Sequence, residues 1–418
     1  MTAGPAAASA GALADHRPAL REGVLVSDAF LHGPRTVHLI KDTAGGQSFQ
    51  VGVKESFLIS RMDGSRTLAQ LGEAYASEYG RRLGDANWLQ LLGMLGTRGL
   101  LAGPRTPPPG PVPEAPAAGP GAVRAAKPAV SGAVPEAKPA GPGAVPEAKP
   151  AHPAAKPARR LMSGSLRLVA DADATAARLH RAVGFLLRPV CLVPLLGAVL
   201  AMQTVLALRA GEALLAARDL FLNPVLLTAT AVLLWLSTAL HELAHGVVAR
   251  HFGGRVGEIG LRWRLPVVIM YCTVDNYLYL RTRWHRIATA VAGAVMNLLF
   301  LLPFCALWLW APLDTATHDA LTGLLLLGSA QAYAMLVPLP PLDGYKIVSQ
   351  WAGATELAAS SRDFLRLALR RDPAAAGYPR RARTVYTVYG LGSLLVLGVL
   401  AASAAALIHH LLTAARAA

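Results

Sequence analysis

Apolar positions change their rhythm three times along the chain. Over residues 18–101 they come in short runs. The stretches 23–28 (GVLVSD), 36–42 (TVHLIKD) and 49–53 (FQVGV) are rich in β-branched residues and bounded by turn residues, which predicts strands. From residue 57 the spacing becomes helical, with Phe57, Leu58 and Met62 followed by Leu68, Leu71, Ala74 and Tyr75. Asp63-Gly64-Ser65 divides this stretch into two helices, with Ser65 or Thr67 as the cap. Trp88, Leu89, Leu91, Leu92 and Leu95 predict a third helix ending near Gly99. A hairpin followed by three short helices is a small winged-helix-like α/β domain.

Residues 102–160 have no apolar period. GAVPEAKPA occurs at 132–140 and again at 143–151, and the prolines forbid helix and ladder alike. An extended, solvated spacer is expected there. Over the third zone, 180–412, five apolar runs follow at 189–208, 224–252, 287–310, 321–338 and 385–408. Each is near the ~20 residues that cross ~30 Å of hydrocarbon. The expected fold is a mainly α polytopic membrane protein of about five transmembrane helices, with the small α/β domain at its N-terminus.

Composition agrees. Of 418 residues 53% are hydrophobic and 16% charged, against about 45–50% and about 25% in soluble domains. The net charge of +15 is explained by where the arginines fall. Arg250, Arg255, Arg262, Arg264, Arg281, Arg283 and Arg286 lie between runs two and three. A second basic group, from Lys346 to Arg383, follows run four, while the loop after run three holds Asp314 and Asp319 and no Lys or Arg. The positive-inside rule puts the N-terminal domain and both basic loops in the cytoplasm and the C-terminus outside a multi-pass plasma-membrane protein. No nucleic-acid partner is needed. Cys191, Cys272 and Cys305 have no CxxC spacing, which excludes a disulfide scaffold and a cysteine-based zinc site. Trp263, Trp284, Trp308 and Trp310 fall near predicted helix ends, where interfacial anchoring is expected.

The chemistry sits at the end of run two, in STALHELAHGVVARH. His241 and His245 are four apart and project from one helical face, with Glu242 beside them. This HExxH pattern supplies two imidazoles for zinc and a carboxylate to take a proton from the attacking water. Three ionisable residues within one turn of an apolar helix are costly and mark function. At 1.5 Å per residue His241 lies about 26 Å along the helix from Pro224, near one edge of the membrane. A catalytic zinc needs a third protein ligand. Asp343, in PLPPLDGYKI, is the acidic residue at the matching end of run four. Pro338, Pro340 and Pro341 break that helix and Gly344 permits close approach.

HELAH on one membrane helix, AGAVMN (292–297) on the next and PLPPLDG ending a third resemble the site-2 protease family of intramembrane zinc metalloproteases. The resemblance covers about residues 220–350. It implies His241, His245 and Asp343 as zinc ligands, Glu242 as general base, and Asn297 as a contact to substrate backbone or oxyanion. Ala294 replaces the usual Pro of the second motif, and Met335 stands where many members carry Asn. The segment 49–80 resembles PqqD-like leader-recognition domains, and the fusion resembles membrane proteases of ribosomal-peptide natural-product clusters, including the daptide type. That likeness implies removal of the leader from a peptide precursor, with a peptide or membrane-protein substrate and a transporter as a further partner. Regulated proteolysis of a membrane-tethered factor, and a non-enzymatic peptide-binding or immunity protein, are the competing readings. The loop between runs two and three reads as two strands around Pro266, an edge for an extended substrate. Asp275 follows, either supporting the site from behind its ligands or serving the turn.

Overall fold

The computed structural model describes residues 13–102, 163–264 and 267–417. Apart from Ala102, the expected spacer at 102–160 lies outside the described residues, as does Pro266.

The N-terminal sheet is built on β3 (Arg35–Asp42). Along one side, β1 (Val24–Val26) and β2 (Phe30–His32) pair antiparallel with its two halves. Along the other runs β4 (Ser48–Gly52). Helices α1 (Val53–Ile59), α2 (Leu68–Tyr79) and α3 (Asp85–Thr97) cover the sheet. Ile40, Ile59, Leu71 and Leu95 are fully buried among them. Thr67, one of the two expected caps, starts α2: its hydroxyl accepts from the Gln70 amide while Gln70 reaches back to the Thr67 N–H. Gly80, at φ 70°, closes that helix in the left-handed conformation that glycine alone adopts without penalty. Among the described residues of this domain β2 is the one strand additional to those expected, and at three residues it is too short to show a period.

The second zone begins with β5 (Ser163–Arg167) and α4 (Ala172–Val183). There follow α5 (Pro189–Leu208), α6 (Ala210–Leu222) and α7 (Pro224–His251). A hairpin of β6 (Val256–Arg264) and β7 (Val267–Val274) leads to α8 (Arg283–Trp310) and α9 (Thr315–Met335). The two loop strands expected around Pro266 are therefore present, and β5 adds to them in the order β5-β6-β7.

Among the described residues four helices are long and apolar enough to cross a membrane: α5, α7, α8, and the first 27 residues of α12 (Arg380–Ala417). This differs from the five expected runs. The fourth run does form a helix, α9, of 21 residues, but it opens on TATHDALTG and carries Ser329 and Gln331. It packs these small and polar residues inward. Ser329 accepts from Gln203 at 2.9 Å and Thr322 accepts from the Trp308 indole at 2.8 Å. Trp308 is thus buried at 5% exposure, a core residue and not the interfacial anchor its position implied. Trp284 and Trp310 are exposed.

After α9 come two amphipathic helices, α10 (Asp343–Ala352) and α11 (Leu357–Leu369). With the first turns of α12 they enclose Phe364, Tyr378, Ala382 and Tyr386 in a second core. Leu31 of β2 completes this core at 4% exposure. Its N–H donates to the Gly353 carbonyl at 2.8 Å, and its carbonyl accepts from the Thr355 N–H at 2.9 Å. The N-terminal domain is therefore docked on the α10–α11 turn by a parallel bridge, besides any covalent tether.

Candidate metal centre

Helix α7 carries HExxH near its C-terminal end, where a four-residue spacing stacks the two imidazoles on one face. Both rings are buried, His241 at 3% exposure. Asp343 opens α10, immediately after the chain has turned through Pro338, Pro340 and Pro341. Helix α9 ends at Met335, before the first of these prolines. Gly344 is required by the closeness of that turn: a Cβ there would run into the Leu336 carbonyl oxygen.

The turn delivers Asp343 to both histidines. Its Oδ2 lies 2.9 Å from His241 Nε2 and 3.1 Å from His245 Nε2, and the two nitrogens are 3.2 Å apart. A tetrahedral zinc with bonds of about 2.0–2.1 Å holds its ligand atoms about 3.3 Å apart. The triangle is that size, its donors are two imidazoles and a carboxylate, and all three residues are buried. Zinc held by these three residues would keep a position for a reacting molecule.

The groups behind the ligands set their tautomers. His245 Nδ1 lies 2.7 Å from the Thr289 carbonyl of α8, to which it can only donate, so Nε2 keeps its lone pair for the metal. The Asn297 amide lies 3.2 Å from His241 Nδ1, and the Ser237 hydroxyl lies 3.0 Å from its Oδ1. Turned over, the same amide accepts from His241 Nδ1–H and donates to Ser237, which is the assignment Nε2 ligation requires. Asn297, at 1% exposure, thus contacts a histidine and a serine. Gly293 lets α8 close on α7, since a Cβ there would meet His241 Nε2 at 2.5 Å. On α8, Thr289, Gly293 and Asn297 recur at four-residue spacing and share one face.

Burial pushes the Asp343 carboxyl up; when the imidazoles carry protons on Nε2 in place of a metal, their hydrogen bonds and the charges of His245 and Lys346 outweigh burial and hold the group well below the usual carboxylate range. Lys346 Nζ donates to Asp343 Oδ1 at 2.8 Å, leaving Oδ2 to face the histidines. Glu242 is half-buried, and its Oε2 accepts from the Cys272 N–H of β7 at 3.2 Å. Burial, then the charge of Glu242, pushes the Cys272 thiol up to about 12, so it stays protonated. Asp275 is exposed in the turn after β7, where its carbonyl accepts from Lys41 and its N–H donates to Arg255. Among the described residues no hydrogen bond joins it to His241, His245 or Asp343.

Sequence reasoning missed Ser237, Thr289, Gly293 and Lys346. Ser237 stands one turn before His241 and Lys346 one turn after Asp343, but nothing in their residue types singles them out.

Residues 229–322 match the model of Peptidase family M50. The matched segment holds His241, Glu242, His245 and Asn297 and ends before Asp343, which the fold supplies. The match and the ligand triangle together support an intramembrane, zinc-dependent metalloprotease of the site-2 type. No curated protein and no solved structure matches the chain.

Proposed function

We propose that this chain is a zinc endopeptidase that removes the leader of a ribosomally made peptide precursor at the cytoplasmic face of the plasma membrane, with α9 as a fifth crossing and the N-terminus cytoplasmic. The convergence of His241, His245 and Asp343 on one small triangle carries the proposal. His241, His245 and Asp343 would hold zinc, which when bound supplies Lewis-acid polarisation of the scissile carbonyl and a nucleophile at neutral pH. Glu242 takes the proton of the attacking water and passes it to the leaving amine. Asn297 and the Thr289 carbonyl keep the two imidazoles oriented. Helical carbonyls are hydrogen-bonded and shielded, so the substrate must be extended; the free edge of β7 beside Glu242 suits an added strand.

The position of the N-terminal domain supports the leader reading. It meets the α10–α11 turn through Leu31, and Asp28 pairs with Arg286 Nη2 at 2.7 Å in the first turn of α8. Ser48, at the start of β4, lies 2.8 Å from the Tyr279 hydroxyl just after β7. A leader paired to this domain would have its following segment near the metal centre. A transporter downstream remains part of the proposal. Capturing Glu242→Gln from its native host in detergent, and identifying bound peptides by mass spectrometry, tests the substrate. A short ribosomal precursor is expected; a membrane-anchored regulator overturns the leader reading.

A further inference from the structure

The edge strand β7 pairs with β6 on one side only. In an antiparallel ladder alternate residues turn both their N–H and C=O to the free side. Val268 and Cys272, four apart, both do so, and each has a side chain of α7 on it. The Val268 carbonyl accepts from Trp235 Nε1 at 2.9 Å, and the Cys272 N–H donates to Glu242 at 3.2 Å. Trp235 and Glu242 are seven apart, two helical turns, and so project from one face of α7. The strand therefore runs along the catalytic helix with its outer edge closed at two points by side chains instead of by a strand.

We infer that Trp235 and Glu242 form a latch on the β7 edge, and that an incoming extended backbone opens it by taking over both bonds. A substrate carbonyl replaces Glu242 on the Cys272 N–H, and a substrate N–H replaces Trp235 on the Val268 carbonyl. The exchange turns the Glu242 carboxylate loose beside His241 and His245 only when a peptide lies on the edge. Trp235 is then a positioning residue that sets specificity. It selects an extended segment with a free N–H opposite Val268, and it rejects a helix, whose N–H groups are engaged, or a proline at that register. This inference rests on the endopeptidase reading above.

The test uses the full chain in detergent with fluorescein-labelled β-casein as the extended probe. Trp235→Phe removes the indole donor and keeps an aromatic ring. Losing one neutral hydrogen bond of the latch should lower KM by about two- to tenfold with kcat little changed. An unchanged KM with a lowered melting temperature assigns Trp235 to packing and overturns the latch. Hydrogen exchange of the Cys272 amide provides a readout without turnover. In Glu242→Ala it should exchange faster than in the wild type, and casein should restore its protection. Equal protection in both chains, unmoved by casein, overturns the inference. If the exchange pattern appears but the wild type cleaves nothing, the latch stands and the endopeptidase reading falls.

Discussion

At the residue scale the metal centre depends on side chains that a methyl group would displace. Gly293→Ala puts a Cβ into the His241 ring. Altering the groups that orient a ligand typically costs 10–100-fold in metal affinity, so both Gly293→Ala and Asn297→Ala are expected to weaken zinc binding by about that factor. Competition with a chromophoric chelator measures it. A second residue-scale prediction concerns Asp42, in the N-terminal domain. The Arg21 side chain, 2.5 Å away, and then the Ala44 and Gly45 amides hold its carboxyl below the ordinary value against the opposing effect of burial. A depressed folded-state pKa stabilises the fold above the unfolded value near 4 and loses that contribution as pH falls through the folded one. Arg21→Ala should therefore lower the unfolding midpoint of this domain at neutral pH, and the difference from wild type should vanish in strong acid. HExxH and Asp343 were legible in the sequence because their residue types carry chemistry by themselves. Thr289 was not, since it acts through its carbonyl, which every residue possesses.

At the element scale the long apolar helices were legible from hydrophobic runs, and the inward-facing polar residues of α9 were not. A run read for membrane crossing counts Thr322, Ser329 and Gln331 as blemishes, whereas in the fold they pair with Trp308, Gln203 and Thr238. Trp308 illustrates the point: helix-end position predicted an interface, but Thr322 gives its indole a partner inside. Thr322→Val keeps the volume and removes the acceptor. A buried donor left without a partner costs about 1–3 kcal/mol, so the variant should lose about that much stability and melt earlier in detergent, while Thr322→Ser should stay close to wild type. The β6–β7 hairpin was legible from its β-branched residues around Pro266. Its lie along α7 was not, because it depends on Trp235 and Glu242, which are remote from it in sequence.

At the scale of the whole molecule, the small N-terminal domain and the helical part that holds the metal centre are joined by contacts that no local pattern announces. Phe30-Leu31-His32 is a three-residue strand, yet Leu31 fills the core made by α10, α11 and α12, and Tyr386 donates to the Gly33 carbonyl at 3.0 Å. Removing a buried leucine side chain costs about 2–5 kcal/mol. Leu31→Asp should undock the domain, seen as faster hydrogen exchange of the Thr355 amide, and should raise KM for the native precursor while leaving cleavage of β-casein nearly unchanged. On the endopeptidase reading the three ligands and Glu242 make a zinc-dependent base catalyst. Its most direct test is zinc content and casein turnover measured together on wild type, Asp343→Ala and Glu242→Gln. About one zinc per chain is expected in wild type and in Glu242→Gln. Asp343→Ala should lose the metal, and Glu242→Gln should lose about 10²–10⁴-fold in turnover with its zinc in place. Full turnover by Glu242→Gln, or a wild-type chain that cleaves casein without zinc, would contradict the claim.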